Sequence, residues 1–77
     1  MTITIEYCQI WNYKPRAAGL ADEIKAKFGL SVELIASGGG VFEVEIDGDL
    51  IFSKKNRGRF PEDAEIFTAI EEKNPSQ

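Results

Sequence analysis

The sequence predicts a two-layer α/β domain in which helices pack on a small mixed sheet. Hydrophobic periodicity gives the element order strand, helix, strand, strand, strand, helix. A strand–helix–strand unit makes its two strands parallel, with a right-handed crossover. Two tight turns follow, and each reverses the direction of the chain. Because 77 residues leave room for one hydrophobic core, we expect a single domain over residues 1–77.

The first half of the chain contains a strand and a helix. Residues Thr2–Tyr7 are rich in β-branched side chains and alternate apolar with polar positions, as a half-buried strand does. A helix is predicted to begin at Pro15 and to end at Gly29, the usual places for proline and glycine. Its apolar residues recur at helical spacing and define one buried face, formed by Ala17, Leu20, Ala21, Ile24 and Phe28.

Three further strands follow the helix. Residues 30–36 read as the second strand, and the run Ser37–Gly40 interrupts it. Residues 41–46 alternate apolar with acidic side chains and form the third strand. Asp47-Gly48 is a strong hairpin signal, so the fourth strand is expected at residues 49–53.

A basic loop and a helix complete the predicted elements. Residues 54–59 are expected to form the loop, which leads to Phe60-Pro61. Acidic residues then crowd the first turn of the final helix, as its dipole favours; they are Glu62, Asp63 and Glu65. Its buried face is predicted to consist of Ile66, Phe67 and Ile70. Residues 73–77 are expected to be a frayed tail.

Composition excludes several classes of function. Thirteen acidic against nine basic side chains give a net charge of −4, which argues against nucleic-acid binding. One cysteine and no histidine allow no internal disulfide, no ordinary zinc site and no imidazole chemistry. The chain has neither an apolar run long enough to span a membrane nor a signal-peptide pattern. We therefore expect no metal, no membrane partner and a cytoplasmic location, where a single thiol stays reduced.

The predicted topology brings four segments to one edge of the sheet. The first two strands end there, so Cys8 should lie beside the Ser37–Gly40 loop, and the fourth strand returns Lys54 and Lys55 to it. Ligand sites in open α/β sheets favour this edge. Besides Cys8 and Trp11, the candidate binding residues are Gln9, Ile10, Ser37, Gly38, Gly39, Gly40, Lys54 and Lys55.

Two interpretations of Cys8 are open from its position. A thiol is reactive when cations or a helix N-terminus stabilise its thiolate and when it is partly exposed. Lys14, Lys54 and Lys55 are candidates to supply that positive charge. Alternatively, Cys8 is an inert small apolar residue, because free cysteines are among the most buried residue types.

The neighbours of Cys8 also allow alternatives. Trp11 and Tyr13 cover the site, form a contact with a partner protein, or pack beneath the loop as part of the core. The Ser37–Gly40 loop lacks the lysine and the spacing of a phosphate-binding loop, so it is a flexible connection or leaves room for a partner chain. The basic run 54–59 is a solvated loop or steers an anionic ligand such as glutathione towards the thiol.

The segments "YCQIWNYKPRAAGLADEIKAKFG" and "SGGGVFEVEIDGDLIFSKK", with the helix after Phe60, give the chain a family resemblance. It resembles the selenoprotein W family, the small thioredoxin-like proteins of the Rdx group, over residues 3–73. The most specific features are the strand–cysteine–loop–helix opening and the pattern GxFEVxxxGxLIxSKK.

The resemblance implies a thioredoxin-like sheet carrying a C-x-x-C or C-x-x-selenocysteine motif that acts in thiol redox reactions. It implies no bound cofactor, with glutathione or a thiol-containing protein as the reaction partner. By position, Cys8 corresponds to the first cysteine of the motif, and Trp11 occupies the place of the second cysteine or selenocysteine. Because an indole cannot resolve a mixed disulfide, the two-cysteine cycle should be impaired.

Two origins of Trp11 and two functions follow from these observations. The tryptophan is either genuine or a UGA selenocysteine codon read as tryptophan, and a UGG codon would exclude the second origin. The first function is a thiol redox protein that forms mixed disulfides through Cys8. The alternative is a non-catalytic interaction module on the same scaffold, which docks partners through Trp11, the glycine loop and the basic run.

Overall fold

The computed structural model describes residues 1–73 and contains one four-stranded sheet of order β2-β1-β3-β4. The strands are β1 (Ile3–Cys8), β2 (Val32–Ser37), β3 (Phe42–Ile46) and β4 (Asp49–Ser53). The strand β1 pairs with β2 in parallel and with β3 antiparallel, and β3 pairs antiparallel with β4. The predicted mixed sheet is therefore confirmed. The structure starts β2 two residues later than predicted and extends β1 to Cys8.

The first helix, α1, spans Lys14–Phe28, one residue longer at its start than predicted. Pro15 occupies its first turn, where a missing N–H breaks no helical hydrogen bond. Gly29 ends the helix in the left-handed conformation with φ of 71°, and its N–H donates to the carbonyl of Lys25.

The predicted basic loop is wrong in part, because residues 54–57 form a short helix, α2 (Lys54–Arg57). It starts directly after β4 and is closed by Gly58, which adopts φ of 74° and donates its N–H to the carbonyl of Lys54. The last helix, α3, spans Asp63–Lys73. Lys73 thus belongs to a helix, and the rest of the predicted tail, residues 74–77, lies outside the described residues.

The core lies between one face of the sheet and the helices α1 and α3. The two central strands, β1 and β3, contribute every second residue to it, which explains the apolar–polar alternation in their sequences. The buried apolar cluster comprises Ile3, Ile5, Tyr7, Ala17, Leu20, Ile24, Phe42, Val44, Ile46, Phe52, Ile66 and Ile70. The intervening positions form an open face of the sheet with partly exposed polar side chains, namely Thr4, Glu6, Glu43 and Glu45.

The remaining predicted core residues are only partly buried. Ala21 and Phe28 of α1 and Phe67 of α3 pack against the edge of the cluster. Phe28 and Phe67 meet edge to face at 5.8 Å between ring centroids, which joins the two helices. Among residues 1–73, no helix combines the length and the apolar character needed to cross a membrane.

Candidate functional site

Cys8 is the last residue of β1, and neighbouring segments hold it on both sides. On one side it is in register with Ser37, the last residue of β2. On the other side its N–H donates to the carbonyl of Val41 over 2.8 Å. The next amide, that of Gln9, donates to the carbonyl of Ser37 over 2.9 Å. The structure therefore places Cys8 beside the Ser37–Gly40 loop, as the topology predicts.

A tight turn after β1 points a backbone amide at the sulfur of Cys8. The Asn12 N–H donates to the carbonyl of Gln9, and the Tyr13 N–H donates to the carbonyl of Cys8, each over 3.1 Å. Asn12 adopts φ of 60°, which asparagine tolerates better than most residues. Within this turn, the Trp11 N–H donates to Cys8 Sγ over 3.4 Å.

The thiol of Cys8 is fully buried, with 0% relative exposure. Of the two interpretations that the sequence left open, this burial fits the enclosed small residue and not the partly exposed thiol. Strand alternation puts Cys8 on the open face with Thr4 and Glu6, yet only Cys8 is fully enclosed among these three. The difference arises because the turn of residues 9–12 folds back onto the end of β1.

Two large apolar side chains of this turn face solvent. Ile10 is 83% exposed and Trp11 is 61% exposed. The Trp11 ring packs on Gly40, since a Cβ built on that glycine would lie 2.5 Å from Cζ3 of the indole. Gly40 also has φ of 71°, so this position needs glycine both for its backbone conformation and for the space that the indole occupies. Trp11 is thus a surface cover over the glycine loop, and the alternative of packing beneath the loop is wrong.

Tyr13, in contrast, joins the turn to the core. Its ring lies 6.1 Å from that of Trp11 and 4.8 Å from that of Phe60, edge to face in both cases. Phe60 in turn contacts the buried Phe42 at 5.3 Å. This row of edge-to-face contacts connects the turn to the buried core. Sequence reasoning missed Phe60 as a contributor, because its role depends on a contact distant in sequence.

Both predicted lysines reach this end of the sheet. The short helix α2 carries them, and Lys55 Nζ would lie 3.7 Å from a Cβ built on Gly39. Lys54 Nζ lies 5.6 Å from the centre of the Tyr13 ring and 5.3 Å from that of Phe60, within the range of cation–π attraction. Across residues 1–73, no cluster of three or more Cys, Asp or Glu side chains is arranged to hold a metal ion.

Sequence comparison finds one family over nearly the whole chain. The profile of the Rdx family matches residues 2–72. The protein "Migration and invasion enhancer 1" from Bos taurus is 36% identical over 69 residues, and its Mus musculus counterpart is equally similar. These 69 residues are 88% of this chain but 60% of each relative, so the chain spans less than two thirds of the length of these relatives.

Solved structures share the fold at detectable sequence identity. The crystal structure of a Bordetella parapertussis protein superposes with a TM-score of 0.87 at 30% identity, covering 92% of this chain and 94% of that one. A selenoprotein W-related protein from Vibrio cholerae gives a TM-score of 0.73 at 34% identity, with coverages of 84% and 85%. The predicted thioredoxin-like fold and the resemblance to selenoprotein W are both confirmed.

Proposed function

This chain belongs to the Rdx family, and from its site we propose that it is a monothiol redox protein acting through Cys8. In this proposal Cys8 forms a mixed disulfide with glutathione or with the thiol of a partner protein. Trp11 removes the resolving thiol, so release requires a second, external thiol. This chemistry suits a reducing compartment such as the cytoplasm, and we propose that location.

The hydrogen bond from the Trp11 N–H to Cys8 Sγ, at 3.4 Å, is the observation that carries the proposal. The contact holds the sulfur at the end of β1, against the turn that carries Trp11. Sulfur is a weak hydrogen-bond acceptor, so the bond itself adds little to the stability of the turn. The thiolate is the nucleophile in disulfide exchange, and Cys8 supplies the sulfur to which the proposal assigns that role.

The burial of Cys8 means that the turn must open before reaction. The turn is a surface element, and its exposed Ile10 and Trp11 side chains contribute little to the core. Local opening of such segments requires far less free energy than unfolding of the whole domain. We propose that residues 9–12 open transiently while the sheet stays intact.

The reaction with glutathione disulfide is a thiol–disulfide exchange. The Cys8 thiolate attacks one sulfur of glutathione disulfide, whose S–S bond breaks while a new S–S bond to Cys8 forms. The second glutathione leaves as a thiolate and takes up a proton from solvent. Cys8 is oxidised and the leaving sulfur is reduced, so electrons balance. Reduced glutathione reverses the reaction by attacking the glutathione sulfur of the adduct.

Intact-protein mass spectrometry tests this proposal. The folded protein, incubated with glutathione disulfide, should gain the mass of one glutathione, and reduced glutathione should remove it. The variant Cys8→Ser should gain none. The proposal is contradicted if the folded protein stays unmodified while the same protein in denaturing urea is modified readily, because Cys8 would then be reactive only after unfolding.

The full burial of Cys8 and the exposure of Ile10 and Trp11 favour a second candidate function, a non-catalytic interaction module. Adjacent exposed apolar residues on a small domain are typical of contact surfaces. Under this alternative, Cys8→Ser leaves partner binding unchanged and Trp11→Ala abolishes it. Under the redox proposal, Cys8→Ser abolishes covalent capture of the partner.

A further inference from the structure

The surface around the closed turn combines apolar and basic side chains. We name Ile10, Trp11, Tyr13, Lys54 and Lys55 the Trp11 surface. Ile10 and Trp11 supply the exposed apolar area, and the indole is fixed in place by its contact with Gly40. A fixed aromatic side chain loses little conformational entropy on binding, which makes it a good anchor for a partner.

The lysines of this surface have positive charge available for a partner. In the part of the chain that the structure describes, the ion pairs join Arg59 to Glu65 and Lys73 to Asp49, and neither Lys54 nor Lys55 takes part in one. The ammonium of Lys54 lies over aromatic rings, and that of Lys55 lies beside Gly39. The Trp11 surface therefore carries local positive charge on a protein whose net charge is −4.

The open face of the sheet limits where an anionic partner can lie. Glu6 and Glu43 are direct cross-strand neighbours on that face, two residues before the end of β1. Their carboxylates repel negative charge, whereas the lysines of α2 attract it. An anionic segment is therefore directed across Trp11 towards Lys54 and Lys55 and away from the open face.

We infer that the Trp11 surface binds an acidic segment of a partner protein, in which an apolar side chain packs on Trp11 and neighbouring carboxylates pair with Lys54 and Lys55. The inference rests on the proposed function, because the docked segment would carry the cysteine that exchanges with Cys8 once the turn of residues 9–12 opens. It specifies the partner by charge complementarity. Steering by these charges also raises the rate of encounter at low ionic strength.

Trp11 is the single tryptophan of the chain, so its fluorescence reports binding at this surface directly. The probe is a capped peptide of Glu and Asp around a central Leu-Ser pair, which contains no thiol. The control probe has the same sequence with Gln and Asn in place of Glu and Asp. The acidic peptide should shift the Trp11 emission in a saturable manner, with an affinity that falls as salt is added. The neutral peptide should bind about tenfold more weakly or not at all.

A matched pair of variants tests the role of the lysines. Lys54→Gln/Lys55→Gln should weaken binding of the acidic peptide by about tenfold, the loss expected for two surface ion pairs. Lys25→Gln/Lys27→Gln removes the same charge at the opposite end of α1 and should leave the affinity unchanged. The inference is overturned if both double variants lose affinity equally, if neither does, or if the two peptides bind alike.

The result separates this inference from the proposed function. Because the peptide carries no thiol, its binding does not depend on the chemistry of Cys8. If the peptide does not bind but the glutathione adduct forms normally, the acidic partner is excluded and the redox proposal is retained. Normal binding without any adduct would support the acidic docking surface and remove the redox proposal.

Discussion

At the scale of single residues, Trp11 contributes both its backbone amide and its indole side chain to the surroundings of Cys8. Its backbone N–H donates a hydrogen bond to Cys8 Sγ. Its side chain replaces a second sulfur with an exposed indole that rests on Gly40. Under the proposed function, residue 11 stands where the family motif has its second sulfur, so the first prediction places a thiol at that position.

Trp11→Cys should form an internal disulfide with Cys8 after mild oxidation. The Trp11 amide is already 3.4 Å from Cys8 Sγ, so a side chain at this position starts close to the sulfur. Mass spectrometry should show the loss of two hydrogens and no remaining free thiol. Ile10→Cys is the matched control, because that side chain is 83% exposed and should give intermolecular products. Intermolecular products from Trp11→Cys as well would contradict the positional match to the family motif.

The two adjacent glycines at the end of the loop provide a second test at residue scale. Gly39 and Gly40 have almost the same positive φ, 68° and 71°, so a Cβ strains the backbone equally at either position. A Cβ on Gly40 collides with the Trp11 ring, whereas a Cβ on Gly39 makes only an ordinary contact with Lys55. Gly40→Ala therefore displaces the indole selectively.

Gly40→Ala should accelerate the alkylation of Cys8 about tenfold over Gly39→Ala, because displacing the indole weakens the closed turn by on the order of 1–2 kcal/mol. The measurement is the rate of loss of free thiol with an excess of a maleimide, in native buffer. Thermal unfolding of both variants shows whether their global stabilities match. Equal alkylation rates at equal stability would mean that Trp11 does not control access to the thiol.

At the scale of elements, the start of α3 depends on one charged contact. Glu65 accepts a hydrogen bond from Arg59 Nη1 at 2.7 Å and another from the Glu62 backbone N–H at 2.9 Å. The bond from Arg59 is the main cause that lowers the pKa of Glu65 below its ordinary value, and the Glu62 N–H adds to it. The same contact raises the pKa of Arg59, so the guanidinium stays charged throughout.

The stability of the domain should depend on the charge of Glu65. Because the pKa of Glu65 is lowered in the folded state, its contribution is present above the ordinary pKa near 4.5 and is lost as the pH falls through the folded value. Glu65→Gln should therefore lower the urea midpoint slightly at neutral pH, and the difference from wild type should vanish in acid. The effect is small because the pair is exposed to solvent.

Glu71→Gln is the control for this pH dependence. It removes an equal charge from the same helix, outside the first turn. Its midpoint should follow that of wild type across the pH range. A Glu65→Gln difference that persists unchanged at low pH would show that the ionised carboxylate is not its source.

The order of the elements could be predicted because local chemistry determines it. Residues 42, 44 and 46 alternate as a strand with one buried face must, and Gly29 marks the end of α1. The short helix α2 could not be predicted, since four polar residues show no hydrophobic period. Its position depends instead on the end of β4 and on Gly58.

Which residues meet at this edge of the sheet was predictable, whereas the burial of Cys8 was left open. Topology alone brings Cys8, the glycine loop and Lys55 to one edge of the sheet. The burial of Cys8 depends on the conformation of the turn after β1, where Asn12 takes a positive φ. The contact of Trp11 with Gly40 joins residues distant in sequence, and only the packed structure reveals it.

At the scale of the whole molecule, two different kinds of opening can expose Cys8. The sheet and its helices share one buried cluster and should unfold cooperatively, as small domains do. The turn of residues 9–12 lies at the end of β1, outside that cluster. A functional thiol requires that this turn opens while the cluster stays packed.

The dependence of Cys8 alkylation on urea distinguishes these openings most directly. Global unfolding exposes much surface, so a rate that requires it rises with urea at the full slope given by equilibrium unfolding. A local opening exposes little surface, so the rate is nearly independent of urea below the unfolding transition. We predict the nearly flat dependence for the wild-type protein. A thiol function for the folded protein would be contradicted if the logarithm of the alkylation rate rose with urea from the lowest concentrations, at the full slope of equilibrium unfolding.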